Sequence, residues 1–221
     1  LGEKFPGVAG YEDADDMASH QDEFDAVLIA TPHTSHIPIG IQFAKLGKHI
    51  LMDKPAGGTL EEFGHLLQTA KEKNLVFHTG YMYRYNFALQ KLMQMINDGE
   101  LGEIYQIDAE MSTYHGSEYR DWLRHFKGGS MYIFGSHLID LVVSILGEPK
   151  AVYPFIKQTG FDGVYSDDNC FAVLEYENGV FVSQMGDANT DGAFDPTDLL
   201  QVYDPALPEA WREWMREQLV E

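Results

Sequence analysis

Cysteine, basic residues and long apolar runs are all scarce in this sequence. One cysteine, Cys170, excludes an intrachain disulfide framework and a CxxC metal knuckle. It lies in the apolar run DDNCFAVLEY, where a buried structural thiol is expected rather than a nucleophile. Only 15 Lys and Arg stand against 35 Asp and Glu, a formal charge of −20. That field repels a phosphate backbone or an anionic lipid surface, so neither nucleic acid nor membrane is expected as a partner. No run reaches the roughly eighteen apolar residues of a membrane-spanning helix. The chain opens on Leu1 with no signal-peptide pattern, and it contains no long repeat and no low-complexity segment. What it does have is 44% hydrophobic residues over 221 positions, enough for a substantial core.

The apolar residues set a rhythm in the first third. Residues 25–31, DAVLIAT, form a continuous apolar run of strand length, which predicts a strand covered on both faces of a parallel sheet. Ile37, Ile41, Phe43 and Ala44 then recur at helical spacing over 36–46, with Gly47 as the stop. A strand is predicted at 49–52. Thr59 and Glu62 are spaced as a capping box ahead of a helix carrying Phe63, Leu66, Leu67 and Ala70, and residues 75–78 read as a further strand. Strands alternating with helices predict a parallel α/β sheet.

After Gly80 the pattern changes. A helix is predicted over 87–96, and residues 103–112 alternate apolar and polar like a half-buried antiparallel strand. A polar and aromatic loop runs to Gly128-Gly129, followed by a helix over 131–146 stopped by Gly147. Strands are predicted at 151–157, 170–176 and 180–184, the last two joined by a hairpin turn with Asn178-Gly179 at its centre. The expected fold is therefore α/β: a partial Rossmann-type parallel sheet, then an α+β domain with an antiparallel sheet. The expected divisions are 1–80, 81–185 and 186–221.

ATPHTSH (30–36), GKHILMDKP (47–55), GYMYRYN (80–86), GELGEIYQID (99–108) and GGSMYIFGSHLIDL (128–141) occur in one order along the chain. In that order they resemble the Gfo/Idh/MocA family, the glucose–fructose oxidoreductases and inositol dehydrogenases that bind a nicotinamide dinucleotide. The resemblance implies NAD or NADP as cofactor, a sugar or polyol alcohol as substrate, a homo-oligomer formed through an open sheet, and a cytoplasmic location. It implies two catalytic residues, Lys54 of Asp53-Lys54-Pro55 and His137 as general base. The chemistry suits both. An ammonium at a strand's carboxyl end can steady a developing alkoxide, and the following proline fixes φ and ends the strand. An imidazole is suited to taking a hydroxyl proton near neutrality. By the same resemblance Thr31, Pro32, His36, Asp53, Lys54 and Arg84 are expected near the cofactor. Tyr85, Asn86, Tyr114 and Arg120, with His115 in the same loop, are expected near the substrate. Asp140, one helical turn beyond His137, is expected to orient its ring. Four residues before His137, where many family members carry an aspartate, stands Ile133.

The family pattern breaks in two places. The phosphate-cradling fingerprint G-x-G-x-x-G is absent, and residues 1–24 look like the stretch just before the family's ATP-x-x-x-H strand, so the dinucleotide domain is expected to be incomplete and NAD(P) binding poor. Near the other end, Asp187, Asn189, Asp191, Asp195 and Asp198 fit positions 1, 3, 5, 9 and 12 of a calcium loop with Gly192 at position 6. That stretch resembles half a dockerin, and an acidic turn is the alternative to calcium. Residues 208–221 read as an amphipathic helix. Two rival roles therefore stand beside the oxidoreductase: a non-catalytic remnant acting through oligomerisation, and a calcium-dependent interaction module.

Overall fold

The computed structural model describes residues 7–187. The expected calcium positions Asn189, Asp191, Asp195 and Asp198 lie outside the described residues, as does the helix expected over 208–221. Asp187 is described only as the backbone end of a strand. Among the described residues no group of three or more His, Cys, Asp or Glu is placed to hold a metal ion, and no helix is long and apolar enough to cross a membrane.

The chain divides into two compact units, the first ending at Tyr81 and the second beginning at Met82. In the first, α1 (Ala14–Ser19) is capped by the Asp13 carboxylate, which accepts from the Asp15 and Asp16 amides. Strands β1 (Ala26–Ile29), β2 (His49–Met52) and β3 (Phe77–Thr79) pair in parallel in that order. Helices α2 (His36–Lys45) and α3 (Leu60–Glu72) form the crossovers. The Thr59–Glu62 capping box opens α3 as predicted, with the Thr59 amide on Glu62 Oε2 at 2.8 Å and the Glu62 amide on Thr59 Oγ1 at 3.2 Å. Val27, Ile29, Ile50 and Met52 face inward and pack with Ile37, Phe43, Ala44 and Leu66. The expectation that β1 is covered on both faces is corrected: Leu28 is 69% exposed and Leu51 40%. A run with no polar residue carries no period, so composition alone could not show that a single face is covered.

The second unit begins with a 3₁₀ turn (Met82–Tyr85) and α4 (Phe87–Asn97). Its sheet holds β4 (Gln106–Ser112), β7 (Phe181–Asp187), β6 (Asn169–Glu175) and β5 (Ala151–Lys157), in that order. β5–β6 and β6–β7 are antiparallel, whereas β4 lies parallel to β7, so the sheet is mixed and the antiparallel reading of 103–112 is corrected. Alternation reports that one face is buried and says nothing of direction. Pro154 sits on the edge strand β5, the place where a missing ladder donor is tolerated. Within the stretch expected as loop, residues Ser117–Leu123 form α5. The helix expected over 131–146 is a π turn (Met131–Gly135) running into α6 (Ser136–Leu146). Val142 of α6 packs on Ile107, Ala172, Leu174 and Val182.

A close contact ties the β5–β6 loop to the start of that helix. The Ser130 amide donates to the Asp167 carbonyl at 2.8 Å, and Gly129, at φ +42°, lies so near that an added Cβ would stand 2.1 Å from the same oxygen. Cys170 is fully buried beside it, its Sγ 3.5 Å from that carbonyl, and burial pushes the thiol pKa up, as a structural cysteine requires. Gly129→Ala is expected to cost about 2–3 kcal/mol, combining an unfavourable φ with a backbone clash, and to lower the urea midpoint without changing the slope.

Candidate functional site

Within the first unit the chemistry-bearing residues gather where β1, β2 and β3 end. This carboxyl edge is where open parallel sheets bind ligands. Past β2 the Asp53 amide still donates to the Ile29 carbonyl at 2.8 Å, and past β3 the Gly80 amide donates to Met52 at 2.7 Å. Asp53 then turns its Oδ1 to the Lys54 amide at 2.8 Å. Lys54 is half-buried, followed by a cis peptide to Pro55. Burial holds its ammonium below the ordinary lysine value of 10.5, and the neighbouring Asp53 carboxylate works against that shift.

His36, expected at the cofactor, lies buried within this edge. It is 1% exposed, with Nε2 2.7 Å from the Thr31 carbonyl and Nδ1 3.1 Å from the Pro55 carbonyl. It therefore ties the end of β1 to the turn after β2, and its polar atoms are spent on the backbone. The loop after Lys54 closes on the same segment. Gly57, at φ +78°, leaves no room for a side chain, since a Cβ would stand 2.2 Å from the His33 carbonyl. Thr31 and Pro32 are exposed at this edge, and Ser35 Oγ lies 2.8 Å from Thr31 Oγ1 and 2.7 Å from the Pro32 carbonyl. Sequence reasoning missed Ser35 and Gly57, although ATPHTSH and Pro-Ala-Gly-Gly both carry turn chemistry.

Within the second unit the π turn delivers His137 to the first turn of α6, 5% exposed. Its ring lies 5.2 Å from that of Tyr83, tilted by 47°. Burial raises the Tyr83 phenol pKa, so the hydroxyl keeps its proton through the physiological range. Tyr83 went unnoticed because a 3₁₀ turn has no apolar period to read. Asp140 does not reach for the histidine. It accepts a two-pronged contact from Arg84, Nε to Oδ2 at 2.8 Å and a second guanidinium nitrogen to Oδ1. Ile133, in the position of the expected aspartate, is buried with Leu123 and Phe126.

Two residues expected to touch substrate are structural instead. Arg120 is wholly buried, donating to the His115 carbonyl at 3.0 Å, the Phe161 carbonyl at 2.8 Å and Asp162 Oδ2 at 2.9 Å, with its guanidinium over the Phe161 ring. The Asn86 side chain caps α4 by accepting from the Leu89 amide at 3.1 Å. Their residue types suit either task, so spacing could not separate the two. Tyr85 and Tyr114 remain 60% and 49% exposed. His115 stacks on Tyr119 at 3.9 Å, and burial lowers its pKa.

Both units have matches among known families. Residues 3–81 match an oxidoreductase family with an NAD-binding Rossmann fold, and residues 89–199, half of the chain, match the GFO/IDH/MocA C-terminal domain. The chain belongs to the Gfo/Idh/MocA family. Among its family relatives, the rhizopine catabolism protein MocA of Rhizobium meliloti is 30% identical over 163 residues, 73% of this chain and 50% of that protein. The scyllo-inositol 2-dehydrogenase (NADP(+)) IolW of Bacillus subtilis is 29% identical over 131 residues, 58% of this chain and 36% of that protein. The chain thus spans half or less of the length of these curated relatives. An inositol dehydrogenase homolog complexed with NAD+ from Azotobacter vinelandii shares the fold, with a TM-score of 0.75 at 24% identity over 83% of this chain and 52% of that one.

The Lys54 environment gives a measurable outcome. Amine acetylation followed by mass spectrometry across pH is expected to show Lys54 becoming reactive at lower pH than an ordinary lysine amine does, because its neutral form appears earlier. Asp53→Asn removes the opposing attraction and is expected to lower that midpoint further.

Proposed function

We propose that this chain carries the substrate-handling chemistry of an NAD(P)-dependent oxidoreductase acting on a sugar or polyol alcohol. The observation that carries the reading is Lys54, a half-buried ammonium held below its ordinary pKa at the carboxyl edge of a parallel sheet, in a chain of this family. The names of the relatives, an inositol dehydrogenase and a rhizopine catabolism protein, support the substrate class.

The residues fit the two ends of a dinucleotide unequally. At the nicotinamide end, Thr31, Pro32 and Lys54 line a strand edge where the chain closes at Gly57, whose Cβ would meet the His33 carbonyl at 2.2 Å. At the pyrophosphate end the sequence offers no G-x-G-x-x-G. When bound, a nicotinamide supplies the hydride acceptor. The chain's own work is to handle the proton. By the family resemblance, the role of His137 would be to take a hydroxyl proton and that of Lys54 to donate a hydrogen bond to a developing alkoxide, a stronger donation because its pKa is depressed. Arg120 and Asn86 take no part, being committed to the fold.

Titration of reduced nicotinamide fluorescence is expected to show no micromolar binding to these 221 residues. Hydride transfer from inositols and sugar alcohols, assayed at millimolar cofactor, is expected to fall about a hundredfold or more in Lys54→Met and in His137→Gln. Unchanged turnover in both would remove the reading.

A second role, assembly through the sheet, is favoured by one observation. On β5, Tyr153 and Phe155 share one face of the sheet with Phe171 and Val173 and are 49% and 59% exposed, apolar surface on the open side of the sheet. Sedimentation is expected to show a homo-oligomer that Phe155→Glu dissociates with its secondary structure intact. A monomeric parent chain would exclude this role.

A further inference from the structure

The turn from Met82 to Tyr85 and helix α6 are joined at two points one helical turn apart. At one, the Tyr83 ring lies against His137, with centroids 5.2 Å apart. At the other, Arg84 grips Asp140 through both carboxylate oxygens. The carboxylate is the buried partner: its side chain is 8% exposed, that of Arg84 49%. A buried carboxylate is tolerated when paired and strongly disfavoured when not, so the pair acts as a latch whose release leaves a charge stranded on α6.

The turn itself has little freedom. The Gln90 side chain donates to the Arg84 carbonyl at 3.0 Å and the Asn86 amide to the Tyr83 carbonyl at 3.1 Å, while Asn86 also caps α4. Tyr83 packs with Leu89 and Leu141 as a small cluster of its own. Within so constrained a turn, the orientation of Tyr83 follows that of its neighbour Arg84. From these contacts we infer that Arg84 and Asp140 are positioning residues that hold Tyr83 against His137 and so fix the plane of the imidazole and shield that face from water. This gives Asp140 a different task from the direct orientation of His137 that its spacing suggests. The inference rests on the reading of His137 as the base only for its effect on turnover. The ring contact itself is independent of that reading.

The test uses the full chain with isotope-labelled histidine. The His137 ring-proton resonances are assigned by their loss in His137→Gln. In the parent chain they carry the ring-current shift of the nearby phenol, and Tyr83→Leu removes it. Asp140→Asn is expected to move the same resonances toward their Tyr83→Leu positions while the other histidine signals stay in place. In the same variant kcat for hydride transfer is expected to fall about tenfold with the substrate KM within about twofold, the split that separates lost positioning from lost binding. Arg84→Lys, which keeps the charge and loses the two-pronged grip, is expected to give an intermediate displacement, and it serves equally if Asp140→Asn does not fold. Unmoved His137 resonances in a folded Asp140→Asn or Arg84→Lys variant would overturn the inference. Full hydride transfer in His137→Gln would instead overturn the base reading and leave the resonance comparison to decide the latch.

Discussion

The carboxyl edge of the parallel sheet depends on one buried imidazole. His36 opens α2 with its ring between the Thr31 and Pro55 carbonyls, at 2.7 and 3.1 Å. Acceptors stand at both nitrogens, so only a doubly protonated ring donates to both, and a neutral ring must choose one. The buried ring packs between the two connections, which therefore stand together at the edge. The contact of Gly57 with the His33 carbonyl locks the same two segments a second time. Lys54 lies between these fastenings along the chain. Its pKa is depressed by burial and not by any charge partner, since Asp53 pulls it the other way.

The second unit solves the same problem with different chemistry. Among its described residues nothing resembles a strand edge delivering a lysine. Instead, a π turn feeds α6, and π turns concentrate where a side chain must be aimed. The segments around that turn are pinned from below. The Asp167 carbonyl takes the Ser130 amide, and Arg120 binds the loop at Phe161 and Asp162 from inside the core. A fully buried guanidinium is costly unless every prong is used. Here three donations and an aromatic face use it, which explains why an arginine that looks free to bind a hydroxyl is not.

What could be read in advance divides along a physical line. Elements that carry a period or a local signature were legible: the capping box at Thr59, the strand 49–52, the helix stop at Gly47 and the Asn178-Gly179 turn all stand where the sequence puts them. Properties settled only by tertiary neighbours were not. Strand direction of β4, the single covered face of β1 and the short helix α5 leave no mark in alternation or composition. The site shows the same division. Lys54 and His137 stand out by motif as candidates. Which polar residues serve the backbone does not show in this way, because an asparagine that caps a helix and one that binds a hydroxyl are the same asparagine. His36, Asn86 and Arg120 all contact backbone in ways their motifs do not announce.

The separation of these fastenings has a consequence for how the chemistry is encoded. Several of the bonds that shape the surroundings of Lys54 lie within residues 29–57, and most of these end on backbone carbonyls. Cofactor affinity in dinucleotide folds is set elsewhere, by glycines that let a helix N-terminus approach the pyrophosphate. The acidity of the lysine is thus a property of one strand edge, and the affinity for the dinucleotide a property of another stretch of sequence altogether. A chain can keep the first without the second. Backbone-directed bonds make that possible, since they tolerate changes in distant side chains that would dismantle a network built from side chains alone.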